Sequence, residues 1–155
     1  MFIKLDGLFF SMGGVSVPVK KLVSDAKIPS YAHLGDAGLD LYAVEDAVVV
    51  VGEAKMLRTG ISMAIPEGYV GLIWSKSGLA AKNSVVSIGG VVDSGYRGEI
   101  TVVLKNLGPE RFMVTKHMKI AQMLIQPVCK ADIVESDMLS ETSRSNGGFG
   151  STGLH

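Results

Sequence analysis

Between Leu39 and Val128 the apolar residues fall in short runs rich in Val and Ile, and each run is closed by a glycine or proline turn. Runs of this kind predict strands over residues 39–43, 47–51, 55–65 with a break at Gly60, 69–74, 84–88, 99–105, 111–115 and 119–128. The turn signals between them are Gly52-Glu53, Pro66-Glu67-Gly68, Gly89-Gly90, Ser94-Gly95 and Gly108-Pro109. Only Gly78-Leu79-Ala80-Ala81-Lys82 reads as a helical turn or two. Many short strands at this spacing predict an all-β sandwich or barrel. From about Ser140 the pattern stops. Residues 140–153 are rich in Ser, Thr and Gly, with Phe149 as their single apolar side chain, and read as a mobile arm.

Composition narrows this picture. The chain has 155 residues, about one domain's worth, and is 47% hydrophobic and 19% charged, as a globular chain is. Fifteen basic and fifteen acidic residues cancel, so no nucleic-acid or membrane surface built on bulk charge is expected. Such a near-neutral, apolar chain is expected to cover surface in an oligomer. Cys129 is the only cysteine, so no intrachain disulfide forms and a reducing cytoplasm is the expected setting. No apolar run approaches the roughly 18 residues of a membrane span. The opening Met1-Phe2-Ile3-Lys4-Leu5-Asp6-Gly7-Leu8-Phe9-Phe10 is apolar, but Lys4, Asp6 and Gly7 break the continuous core that a signal peptide needs. Residues 1–11 are expected to be dispensable, with Met12 as an alternative start. The expected division is an N-terminal extension (1–16), a β-barrel domain (17–139) and a C-terminal arm (140–155).

Chemistry concentrates in a few segments. Gly90-Val91-Val92-Asp93-Ser94-Gly95-Tyr96-Arg97-Gly98 puts a carboxylate and an aromatic ring on what reads as the tip of a glycine-bounded hairpin. Glycine permits positive φ and close approach of a ligand to the backbone. Ser75-Lys76-Ser77-Gly78-Leu79-Ala80-Ala81-Lys82 opens a helical turn after a strand, which suits either an anion or an ordinary N-cap. Asp36-Ala37-Gly38-Leu39-Asp40-Leu41 reads first as a turn feeding a strand. Gln122 interrupts the apolar strand Lys119-Ile120-Ala121-Gln122-Met123-Leu124-Ile125, as a satisfied buried amide or a ligand contact. The arm carries Arg144 and Gly147-Gly148-Phe149-Gly150-Ser151-Thr152-Gly153: a guanidinium fork, a stacking ring and two hydroxyls between glycines. It is not a Walker A loop, because no Lys follows the last glycine. His33, His117, His155 and Cys129 lack metal-ligand spacing. Trp74 and the eight Met read as packing residues.

In order and spacing these segments resemble the five motifs of the homotrimeric dUTPase family, over about residues 17–153. The resemblance implies a jelly-roll-like distorted β-barrel, a homotrimer with active sites shared between subunits, and hydrolysis of dUTP to dUMP and pyrophosphate. By it Asp93 is the general base that activates the water attacking the α-phosphorus. Mg²⁺ is the implied cofactor, held by the triphosphate oxygens, with Asp40 either contacting it through water or bracing the site. Tyr96 is expected under the deoxyribose, with backbone groups around Gly90 and Val92 on the uracil edge and Thr101 lining the pocket. Lys76, Ser77, Gly78 and Gln122 are expected on the phosphates. Phe149 is expected to stack on uracil and Arg144 to grip the γ-phosphate, while Gly150, Ser151 and Thr152 complete the lid.

Two positions depart from the family. Lys76 stands where Arg is usual, keeping the charge without the planar fork. Gly95 stands where a second Asp is frequent, giving an Asp-x-Gly-aromatic pattern familiar in dCTP deaminases, which share the fold. The deaminases carry a catalytic Glu on the next strand, and the corresponding position here is Val103. A deaminase relative and a non-catalytic nucleotide-binding member are the alternative readings.

Overall fold

A computed structural model describes residues 2–5, 8–11 and 14–148. The strands run in chain order as β1 (Phe2–Leu5), β2 (Leu8–Ser11), β3 (Val19–Lys21), β4 (Leu39–Tyr42), β5 (Ala47–Val49), β6 (Ala54–Arg58), β7 (Ile61–Met63) and β8 (Tyr69–Trp74). After helix α1 (Ser77–Asn83) come β9 (Val85–Ser87), β10 (Val91–Val92), β11 (Thr101–Asn106), β12 (Phe112–Val114) and β13 (Lys119–Pro127). All pairings are antiparallel, in one four-stranded sheet β10-β8-β13-β4, one three-stranded sheet β6-β11-β9, and the pairs β12-β5, β3-β7 and β1-β2. The all-β expectation, its single short helix and the break at Gly60 are therefore observed.

The alternation of β11 shows how the sequence builds the core. Val102, Leu104 and Asn106 point inward, while Thr101, Val103 and Lys105 are only half-buried. The inward set meets Leu41, Leu57, Ile61, Ile100, Val114, Ile120 and Met123, all essentially without solvent contact. At roughly 1.5–3 kcal/mol per fully buried aliphatic side chain, this interior is the dominant stabilising contribution. Asn106 is the buried exception. Its amide donates to the carbonyls of Val49 (2.9 Å) and Glu110 (2.8 Å) and accepts from the Gly108 N–H (2.9 Å), so it pins a turn with hydrogen bonds that offset its desolvation.

The 90–98 segment differs from its expected form. It is not the tip of a hairpin within one sheet: β10 pairs with β8, whereas the strand that leaves the segment, β11, pairs with β6 and β9. The segment is thus a crossover between two sheets, anchored at both ends. Four short strands not anticipated from sequence are also present, β1, β2, β3 and β10. β1 and β2 pair only with each other among the described residues. Met12 lies outside the described residues. After β13, residues 128–148 add no strand or helix, and Ile133, Val134, Met138 and Leu139 are highly exposed there.

Candidate active site

Two cavities gather eight of the eleven described candidate residues, all but Ser77, Gly78 and Arg144. The first, about 280 Å³, is lined by Gly90, Val92, Asp93, Tyr96, Glu99, Thr101 and Val103, with Ile73, Ile88 and Ile100 behind them. Its volume is near the lower end for small-molecule sites. β10 is the edge strand of its sheet, so the outward backbone groups of residues 91–92 have no strand partner. Gly90 is indispensable to this wall. Its φ is +116°, and a Cβ there would lie 2.9 Å from the Ile73 carbonyl oxygen that packs against it.

Asp93 is exposed at the start of a turn closed by the Tyr96 N–H donating to the Asp93 carbonyl at 3.1 Å. The Tyr96 hydroxyl donates to the Glu99 carbonyl at 3.0 Å, folding the ring back over Gly98. A Cβ at Gly98 would lie 2.6 Å from Tyr96 Cζ, so only glycine leaves the ring in this pose. Glu99 was not anticipated from sequence. Its carboxylate accepts from Arg58 Nε (3.0 Å) and from the Gly60 N–H (2.8 Å), and so moors the crossover to the β6–β7 turn. An acidic residue directly after the glycine that ends the segment was the available signal. The carboxylate raises the Arg58 pKa through its hydrogen bond and its charge. Val103 supplies an aliphatic part of the cavity wall.

The second cavity, about 540 Å³, is lined by Asp36, Asp40, Trp74, Lys76, Lys119 and Gln122, with Ala32, Ala37, Gly38 and Leu124. Sheet register assembles it. Gln122 of β13 stands opposite Trp74 of β8 on one side and Asp40 of β4 on the other, and direct cross-strand partners share a face. Asp40 is buried, with 4% of its surface exposed. Lys76 Nζ lies 2.5 Å from its Oδ1 and Lys119 Nζ 2.6 Å from its Oδ2. Burial pushes the Asp40 carboxyl up, but the hydrogen bonds and charges of Lys119 and Lys76 outweigh it and hold the group below the ordinary aspartate value. Asp40 in turn raises the pKa of Lys119. The Gln122 amide donates to the Ser75 carbonyl at 3.1 Å. Lys119 is a second residue that sequence reading did not single out; its place three residues before Gln122 was the only hint.

Ser77 and Gly78 open α1 directly after Lys76, and no side chain caps the helix. Lys76 is the N-cap residue, and the nearby Ser75 hydroxyl is engaged with Ser87, accepting its N–H at 2.8 Å. The first amides of the helix therefore have no intrahelical or capping partner.

The two cavities share no residue. Val92 stands opposite Gly71, so continuing the register sets Asp93 beside Val70, whereas Gln122 stands opposite Trp74. That is four residues along β8, roughly 13 Å, plus two strand spacings of roughly 5 Å each. Asp93 and Tyr96 are thus brought together, and Asp40, Lys76 and Gln122 are brought together, but one chain does not join the two groups. Arg144 lies in neither wall; its Nε donates to the Gly147 carbonyl at 2.9 Å. Phe149, Gly150, Ser151 and Thr152 lie outside the described residues.

Among the described residues no three His, Cys, Asp or Glu side chains gather to hold a metal ion. Both Asp40 oxygens are taken by ammonium groups, so its geometry fits a brace better than a metal-water contact. No helix among the described residues is long and apolar enough to cross a membrane.

Comparison with known proteins shows the family and the fold. The dUTPase family model matches residues 24–153. Deoxyuridine 5'-triphosphate nucleotidohydrolase of Alkaliphilus metalliredigens is 49% identical over 141 residues, covering 90% of this chain and 98% of the relative. The enzyme of the same name from Clostridium tetani is 49% identical over 140 residues, covering 89% and 97%. Among solved structures, the dUTPase of Staphylococcus bacteriophage 80alpha with dUpNHpp superimposes with a TM-score of 0.84 at 28% identity, covering 90% of this chain and 99% of that one. A mutant dUTPase of phage phi11 of S. aureus, solved to describe coordination of a structural Mg(II) ion, gives 0.76 at 25% identity, covering 80% and 98%. The fold is the jelly-roll-like fold of these neighbours, and the chain belongs to the dUTPase family.

Proposed function

We propose that this protein hydrolyses dUTP to dUMP and pyrophosphate, limiting uracil in DNA and supplying dUMP for dTMP synthesis. The observation that carries the reading is one cavity in which Asp93 and Tyr96 stand beside the unpaired edge of β10. Backbone groups at Gly90 and Val92 read the uracil edge as a paired strand would. The Tyr96 ring, fixed over Gly98, lies under the deoxyribose and leaves no space for a 2′-hydroxyl. Thr101 completes the wall.

Asp93 orients a water and takes its proton as the oxygen attacks the α-phosphorus. The bond from that phosphorus to the bridging oxygen breaks, and pyrophosphate leaves with the electron pair. Lys76, Gln122 and the free amides of Ser77 and Gly78 hold the departing phosphates. Among the described residues no carboxylate cluster would hold Mg²⁺, so the triphosphate oxygens would carry it, and when bound it would supply charge neutralisation of the leaving group. From the arm, Arg144 grips the γ-phosphate, Phe149 stacks on uracil, and Gly150, Ser151 and Thr152 close the lid.

The chain works as a homotrimer in which Asp93 of one subunit meets Lys76 and Gln122 of another. Two observations support this: the two cavities share no residue, and the apolar side chains Ile133, Val134, Met138 and Leu139 are left open to solvent after β13. Residues 17–139 form the barrel domain, 1–16 an extension and 140–155 the closing arm. The single exposed Cys129 suits a reducing cytoplasm. The test is pyrophosphate release with Mg²⁺ from dUTP, UTP, dTTP and dCTP. Turnover of dUTP alone is expected; no turnover overturns the reading, and ammonia from dCTP would favour the deaminase alternative.

A further inference from the structure

One buried carboxylate with two ammonium groups is an unusual arrangement for a phosphate subsite. Asp40 has 4% of its surface exposed, yet it accepts Lys76 on one oxygen and Lys119 on the other. Both lysines line the same cavity as Gln122. A lysine held at 2.5 Å by a buried carboxylate is not available to a phosphate. If Asp40 had Lys76 as its sole partner, turning that ammonium to a ligand would strand a buried negative charge, which is strongly unfavourable. The second ammonium removes that obstacle, because Asp40 keeps a partner when Lys76 leaves.

We propose that Lys119 is a positioning residue for the triphosphate: it keeps Asp40 paired, so that the Lys76 ammonium is free to turn from that carboxylate to the substrate's phosphates. This deepens the hydrolase reading and rests on it for the identity of the ligand. Lysine at position 76 suits such a movement. Its charge is a point on a flexible four-carbon stem, not a rigid planar fork. The side chain of Lys119 is 45% exposed and that of Lys76 27%, so both have room to move. Asp36, the other carboxylate near Lys119, accepts the His33 N–H at 2.8 Å and shares that lysine's field without contacting Lys76. Lys119 acts through Asp40 and not by touching the phosphates itself, and this is what separates it from Gln122.

Calorimetric binding of inorganic triphosphate and of deoxyuridine, with dUTP kinetics alongside, tests the idea on the full chain. Lys119→Met is expected to weaken triphosphate binding and raise the KM for dUTP roughly tenfold, about the effect of one charge-assisted hydrogen bond. Deoxyuridine binding stays at the wild-type value, and Lys119→Arg restores triphosphate binding. In an Asp40→Asn background no buried charge remains, so adding Lys119→Met is expected to change nothing further. That pair of variants also keeps the test decisive if Lys119→Met alone fails to fold. Triphosphate binding at the wild-type level in Lys119→Met overturns the proposal. So does an equal loss of deoxyuridine binding, or a further loss on adding Lys119→Met to Asp40→Asn. Wild-type protein that binds triphosphate but releases no pyrophosphate from dUTP would instead overturn the hydrolase reading.

Discussion

The cavity at Asp93 and the cavity at Asp40 meet β8 at adjacent residues, Ile73 and Trp74, which face opposite sides of the sheet, and they are built by opposite means. At Asp93 the walls are backbone and ring: a strand edge, a glycine with positive φ pressed on Ile73, and a tyrosine folded over a second glycine. Charge is nearly absent from its wall apart from Asp93 and Glu99, and the Glu99 carboxylate is tied to Arg58 and the Gly60 N–H. At Asp40 the wall is a set of side chains aligned by cross-strand register and held by ion pairs. Shape is fixed in the first and charge is movable in the second. A rigid, low-charge cleft discriminates between similar neutral groups, whereas movable cations follow a flexible polyanion. The contrast matches the two ends of a nucleoside triphosphate.

The comparison is broken most severely at Asp93. Asp93→Asn keeps the shape of the first cavity but removes its base. Turnover is expected to fall by about 10²–10⁴-fold with nucleotide affinity retained. Pyrophosphate release and calorimetry read the two quantities separately, and a wild-type rate would take the base role from Asp93. Gly98→Ala tests the fixed-shape claim next. The added Cβ would lie 2.6 Å from Tyr96 Cζ, so the half-exposed ring must swing away from the sugar position. The preference for dUTP over UTP, measured as a ratio of kcat/KM, is expected to drop by roughly tenfold or more. An unchanged ratio would mean that the ring pose does not set sugar choice.

The smallest effect concerns the charged end and appears in stability. Asp40 has a depressed pKa in the folded protein, with burial opposed and outweighed by Lys119 and Lys76. As pH falls, the unfolded chain takes up this proton first. The stabilisation is therefore complete above the ordinary aspartate value of 3.8 and is lost as pH falls from there through the lower folded value. Thermal melts from neutral pH into that acid range should show a shallower acid loss in Asp40→Asn than in wild type. Equal slopes would place the acid sensitivity elsewhere.

Much of this was legible in the chain before any geometry. Strand periodicity and glycine or proline punctuation gave β4 to β9 and β11 to β13, because each run is long enough to carry its own pattern. Val91–Val92 is too short for that; β10 exists through its pairing with β8, a non-local fact. For the same reason the 90–98 segment read as a simple hairpin, when its two arms serve different sheets. Asp93, Tyr96, Lys76 and Gln122 stood out because polar groups between glycines or in apolar strands call for an explanation. Glu99 and Lys119 did not, because a charged residue at a strand end is ordinary until its partner is known. Their partners, Gly60 with Arg58 and Asp40, are tens of residues away in sequence.

The separation of the two cavities leads to the central claim, that each site joins the first cavity of one subunit to the second cavity of another. Subunit complementation tests it directly. Asp93→Asn chains and Lys76→Ala/Gln122→Ala chains, each nearly inactive alone, would be co-expressed in equal amounts and assayed for pyrophosphate release from dUTP. Random assembly across subunits is expected to restore about a quarter of wild-type activity, since half of the first cavities and half of the second are intact. Activity no greater than the sum of the two parents would contradict the claim and confine each site to a single chain.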